Sequence, residues 1–129
     1  MSKNKNYFIL IAGIINSFTA LLHTIGGQID LVSPLQESNL TNQSKAEWFG
    51  VWHMVTIVLI ATSFILIRTF IKNKQNENLR HIGYLYVLFA LPFIISSLLN
   101  GLLAPQWILL LPIGLLTIIG QRKYDNTNK

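Results

Sequence analysis

Tyr7 to Ile25 reads YFILIAGIINSFTALLHTI, a stretch without a single Asp, Glu, Lys or Arg. At roughly 1.5 Å of rise per residue, a helix of this length approaches the roughly 30 Å hydrocarbon core of a bilayer. Three more apolar stretches follow, at about Lys45 to Ile71, Ile82 to Leu103 and Gln106 to Gln121. The expected fold is therefore all-α, a four-helix transmembrane bundle forming one integral domain over residues 1–129. The last stretch is the shortest, and it spans only where the bilayer thins or the bundle shelters its ends.

Charge orients this bundle. Of the ten Lys and Arg residues, Lys3, Lys5, Arg68, Lys72, Lys74, Arg80, Arg122, Lys123 and Lys129 fall on one side of the expected membrane, and only Lys45 on the other. Basic segments resist translocation, which predicts an N-in, C-in topology in the plasma membrane with the polar turn from Asn73 to Asn78 also cytoplasmic. Trp48, Trp52 and Trp107 at the outer ends and Tyr7, Tyr84 and Tyr124 near the inner ones agree with interfacial aromatic belts.

A chain of 129 residues that is 51% hydrophobic and only 12% charged departs from soluble composition, where about 25% of residues are charged. The net charge of +5 does not point to nucleic acid, because the basic residues gather at helix ends instead of forming one exposed face. They suit anionic lipid head groups. Cysteine is absent, which removes disulfides, thiolate metal sites and cysteine nucleophiles. The first apolar stretch follows Lys3 and Lys5 as a signal peptide would, but Phe18 stands two before Ala20 where a cleavage site wants a small residue, so a retained helix is expected.

Local signals set the expected boundaries. Gly26 and Gly27 end the first helix as a left-handed C-cap would. Ser44-Lys45-Ala46-Glu47 matches a capping box for the second. Asn100-Gly101 terminates the third, and Pro105 leads into the fourth. The outer segment Gln28 to Gln43 carries Leu31, Val32, Leu35 and Leu40 around Pro34, and reads as a lid packed on the mouth of the bundle. Asn39-Leu40-Thr41 and Asn42-Gln43-Ser44 fit the glycosylation pattern but arise by chance in such loops. No internal repeat is present.

Polar groups inside a span are costly and turn toward the bundle interior, so each is a candidate site. Asn16 and His23 lie within about 20° of one another on a helical wheel, with Thr19 and Ala20 on the same stripe. His53 and Thr56 share a face of the second helix, with Ser63 further along it. Ser96, Ser97 and Asn100 form the corresponding cluster on the third. His23, about one turn below the outer end of its helix, and His53, about two turns into the next, come to similar depth. This gives His23, His53, Asn16, Thr56 and Asn100 as the candidate residues of an outward-facing pocket.

Two neutral imidazoles are also the usual ligands of Zn, Cu or a bis-His haem, so a metal or haem on His23 and His53 belongs among the possibilities. The nearby carboxylates, Asp30, Glu37 and Glu47, sit on the loop or in the cap, and a metal site would need the lid to complete it. The competing reading is structural: an intramembrane His or Asn bonds a facing polar group and holds helices together for about 0.6 to 2 kcal/mol. No span contains the carboxylate that proton-coupled export needs, which argues against a small multidrug transporter. There is no phosphate loop, Ser-His-Asp set or carboxylate pair for hydrolysis, and a histidine base would lack a second catalytic group.

Leu22-His23-Thr24-Ile25-Gly26-Gly27, Ser33-Pro34-Leu35 and Val51-Trp52-His53-Met54-Val55-Thr56 together resemble small bacterial four-span membrane proteins of unassigned function with a His-x-x-Gly-Gly, Pro-Leu, Trp-His-x-x-Thr pattern. The likeness covers roughly the first half of the chain. It implies a four-helix membrane bundle and a bacterial origin, and it supplies no catalytic residues. The expectation is thus a multi-pass protein in the lipid bilayer whose outer pocket binds or senses a small ligand or metal. The alternative is an accessory subunit, packed against a larger membrane complex or a second copy of itself, whose polar stripe is helix glue.

Overall fold

The computed structural model describes residues 5–73 and 78–127; Lys3, Lys74, Lys129 and residues 74–77 of the expected cytoplasmic turn lie outside them. The described residues form helices and turns, with no strand among them. Helix α1, Tyr7–Gly27, continues into a π-helical turn, Gln28–Val32, and then a short helix α2, Ser33–Glu37. Helices α3, Asn42–Lys72, α4, Asn78–Asn100, and α5, Gln106–Thr127, complete the chain. Three runs, Tyr7–Glu37, Asn42–Lys72 and Leu79–Asn100, are long and apolar enough to cross a membrane. The apolar part of α5 stops at Gly120, before Gln121, Arg122 and Lys123, so it offers only about 22 Å of apolar length.

Two expected boundaries need correction. Gly26 and Gly27 do not form a left-handed cap: the α-helical part of α1 closes at Gly27, but Gly27 is right-handed, at φ −68° and ψ −26°, and the chain stays helical to Glu37. The reason is packing. A Cβ on Gly27 would lie 1.9 Å from Cζ2 of Trp52, so glycine is there to admit the indole ring. At the start of α3 the cap is Thr41, whose Oγ1 accepts from the Ser44 amide at 3.2 Å. Glu47 instead accepts from Gln43 Nε2 at 2.6 Å, one turn apart on the surface of the helix. The end of α4 is as expected, with Gly101 at φ +61° taking the left-handed turn that a side chain would resist. Within the expected lid Val32 is buried and Leu35 half-buried, while Leu31 and Leu40 are exposed.

The long helices alternate in direction. Gly13 meets Leu66 and Ile67, while His23 meets Trp52, so α1 and α3 are antiparallel. Arg80 meets Asp125 and Gly83 meets Gly114, so α4 and α5 are too. Gly120 abuts Ile9 and Lys123 lies over Phe8, which brings the end of α5 beside the start of α1. Helix α1 packs against both α3 and α5, and α5 against α4.

In a bilayer, whose lipid tails are as apolar as leucine, association of such helices would rest on close backbone approach and interhelical hydrogen bonds. Both are present. At the α4–α5 crossing a Cβ on Gly114 would sit 2.8 Å from the Gly83 carbonyl oxygen, so the two backbones touch. A buried cluster including Ile9, Ala12, Leu59, Leu66, Tyr86, Ala90 and Ile113 fills the interior. Ile14, Phe18, Ile57, Ile60, Phe64 and Ile95 point outward, where lipid tails would cover them.

Candidate functional site

The polar groups separate into two constellations, one at mid-bundle and one nearer the end where α1 passes into the π turn. At mid-bundle, Asn16 of α1, Thr62 of α3 and Tyr86 of α4 close a ring of hydrogen bonds. Asn16 Nδ2 donates to Thr62 Oγ1 at 2.9 Å, the Thr62 and Tyr86 hydroxyls are 2.6 Å apart, and Tyr86 Oη donates to Asn16 Oδ1 at 2.8 Å. The Tyr86 proton goes to Asn16, while the single Thr62 proton has acceptors on its own helix in the Val58 carbonyl at 2.6 Å and the Leu59 carbonyl at 3.2 Å, besides the Tyr86 hydroxyl. The three side chains thus form one buried polar network that joins α1, α3 and α4. Asn16 and Tyr86 are fully buried, and Asn16 Nδ2 also reaches the Leu59 carbonyl at 3.3 Å. Ser63, on the expected stripe, bonds instead to its own helix at Leu59 O, 2.7 Å away.

The second constellation centres on the carbonyl oxygen of Trp52. His23 Nε2 lies 3.3 Å from it, and Thr56 Oγ1 donates to it at 3.2 Å. A carbonyl only accepts, so the contact places the imidazole proton on Nε2 and leaves the lone pair of a neutral His23 on Nδ1. The His23 ring also stacks on the Trp52 indole, with centroids 3.7 Å apart and planes 12° from parallel. Gly27, one turn further along α1, supplies the clearance that lets the indole lie there. His53 follows Trp52 directly, is half-buried and meets Phe49 edge-on at 4.2 Å.

The expected site residues therefore divide. His23, His53 and Thr56 gather around Trp52. Asn16 belongs to the mid-bundle ring, two turns deeper. Asn100 is exposed and donates to Ser96 O of its own helix at 2.9 Å. Taking the Asn16–Tyr86 contact as a common level, Asn100 lies about 10 Å further toward the bundle end than His23. Trp52, read from sequence only as an interfacial residue, is the residue that organises the histidines. Tyr86 and Thr62 complete the ring, and sequence reasoning passed over both, since Tyr86 stands only two residues beyond the interfacial Tyr84. Among the described residues no group of three or more His, Asp or Glu side chains is arranged to hold a metal.

These features define a class of molecule: an all-α bundle with three helices able to cross a membrane, a sealed polar ring at its middle and a histidine–tryptophan cluster nearer one end. No protein-family model, curated protein or solved structure matches the chain.

Proposed function

We propose that the chain is a four-span membrane protein with both termini cytoplasmic, and that it binds or senses a small ligand at its outer end through His23 and His53. The observation that carries this reading is the Trp52 junction. A stacked indole and a backbone carbonyl hold His23 in one tautomer, and His53 lies beside it with Phe49 against its ring. Such an arrangement offers aromatic walls and an imidazole acceptor, which suits a small, partly apolar molecule carrying a hydrogen-bond donor. With two imidazoles and no third donor grouped with them among the described residues, a small hydrogen-bonding ligand is favoured over a bare metal ion.

Trp52 is a built-in reporter for the test. Elemental and absorbance analysis of the purified chain separates metal, haem and empty forms. Tryptophan emission is then followed while Zn(II), Cu(II) and small amines are titrated in. The expected result is a saturable emission change with one of these probes that His23→Ala and His53→Ala each remove without loss of helicity. If both variants merely lose about 1 kcal/mol of stability, and wild-type emission answers to no probe, the histidines are helix glue.

A second reading has its own observation. Leu98, Leu99, Leu102 and Leu103 are 70–79% exposed around the tip of α4, which stands clear of the other helices. That favours an accessory subunit seated against a larger membrane complex or a second copy. Crosslinking from position 99 in native membranes to another protein, together with silent histidine variants, would decide for it.

A further inference from the structure

The two ends of the bundle differ sharply in charge among the described residues. The end where α1 starts and α3 and α5 finish carries Lys5, Arg68, Lys72, Arg80, Arg122 and Lys123 against one carboxylate, Asp125. That carboxylate is engaged: Arg80 reaches it at 2.5 Å and Gln121 Nε2 donates to its other oxygen at 2.9 Å. The opposite end has Asp30, Glu37 and Glu47 against Lys45 alone. Three of the cations at the basic end are set over aromatic rings. Lys5 Nζ is 5.4 Å from the Phe70 centroid, Lys123 Nζ 5.5 Å from Phe8, and Arg68 Cζ 5.8 Å from Phe64. Phe70 also packs against Tyr7, with centroids 5.6 Å apart, and Tyr7 and Phe64 are exposed where lipid would lie.

We infer that this end, between the first turn of α1 and the last turns of α3 and α5, is a binding surface for the head group of an anionic phospholipid. The inference rests on the reading that the apolar helices cross a bilayer. A cation over a ring face keeps its charge at the level of the ring and is less free to swing into water. The exposed aromatics mark the acyl boundary, so the cations stand at the depth of a phosphate. With Asp125 occupied by Arg80 and Gln121, no described carboxylate is left at this end to neutralise Lys5, Lys72 or Arg122. A lipid phosphate meets that need, with its tails along the outward faces of α1 and α3.

The test uses the full chain purified in a neutral detergent, with thermal unfolding followed as phosphatidylglycerol, phosphatidylcholine or free glycerol phosphate is added. Phosphatidylglycerol should raise Tm saturably at low salt and less so at high salt, and the other two should not. Each of Lys5→Gln, Lys72→Gln and Arg122→Gln should weaken the lipid's apparent affinity roughly fivefold, while Lys45→Gln leaves it unchanged. Equal stabilisation by phosphatidylcholine, an equal effect of glycerol phosphate, or retention of wild-type affinity in all three variants would each overturn the proposal. Should a variant fail to fold, the salt titration of the wild-type chain decides. Failure of the membrane reading itself shows separately, as a chain that alkaline carbonate washes from its membranes and that stays dispersed without detergent.

Discussion

Gly114→Val should be the most damaging single change in the bundle, splaying α4 from α5 and costing about 3 kcal/mol or more. The position allows no relief. A Cβ there would meet the Gly83 carbonyl oxygen at 2.8 Å and the Val87 amide nitrogen at 2.9 Å, and both are backbone atoms that cannot turn aside as a side chain can. Gly83→Ala drives its new carbon toward the same contact, 3.0 Å from the Gly114 oxygen and 2.6 Å from Ile118 Cγ1. The control lies in the same chain. Gly26 and Gly50 have nothing within 4 Å of an added Cβ, and both are helical. Gly26→Ala and Gly50→Ala should therefore be neutral, or stabilising by up to about 1 kcal/mol, since alanine suits a helix interior better than glycine. Thermal unfolding in one detergent, with all four variants side by side, checks the ordering. Similar melts for Gly114→Val and Gly50→Ala would mean that the α4–α5 crossing is looser than described.

The second large effect is expected at the mid-bundle ring. Tyr86→Phe removes the donor to Asn16 Oδ1 and leaves that oxygen without this partner at a site closed to water, while the Thr62 proton keeps the Val58 carbonyl at 2.6 Å. A cost of about 1 to 3 kcal/mol follows from stranding buried polar groups, with membrane hydrogen bonds toward the lower end of that range. Asn16→Ala and Thr62→Val break the same ring elsewhere. Since Asn16 and Tyr86 share a direct bond, Asn16→Ala with Tyr86→Phe should cost less than the sum of the two singles by at least about 0.5 kcal/mol. Additive losses in a double-mutant cycle would mean that this bond contributes nothing. Tyr86→Phe should leave any probe response of the histidine cluster intact, because the ring and the Trp52 junction are separate constellations.

How much of this could be read from residues alone depended on which force governed each feature. Helix number, and the nearness of His23 to His53, follow from apolar length and rise per residue, which are local quantities. So does the stop at Gly101, where only backbone conformation matters. Gly26-Gly27 misled because the same residue serves two physical needs. Glycine permits a left-handed cap, but it also permits close approach, and only the position of Trp52 shows that Gly27 serves the second. The choice between Ser63 and Thr62 shows another limit. Adjacent residues differ by 100° on a helix, and spacing within one helix does not say which of them faces a third helix. Tyr86 finds Asn16 across 70 positions, and no periodicity within either segment encodes that pairing. The role proposed for His23 rests likewise on a tertiary fact, the Trp52 carbonyl, which sequence depth places nearby without orienting.

The most direct test of the whole account is the accessibility of its two ends. The chain has no cysteine, so Asn39→Cys, beyond α2, and Lys72→Cys, at the end of α3, can each be made singly and challenged in intact cells with a membrane-impermeant thiol reagent. Four spans with cytoplasmic termini predict that position 39 labels in intact cells and position 72 only after the membrane is opened. Equal labelling of both from outside would contradict the topology, and with it the outward placement of the His23–Trp52 cluster.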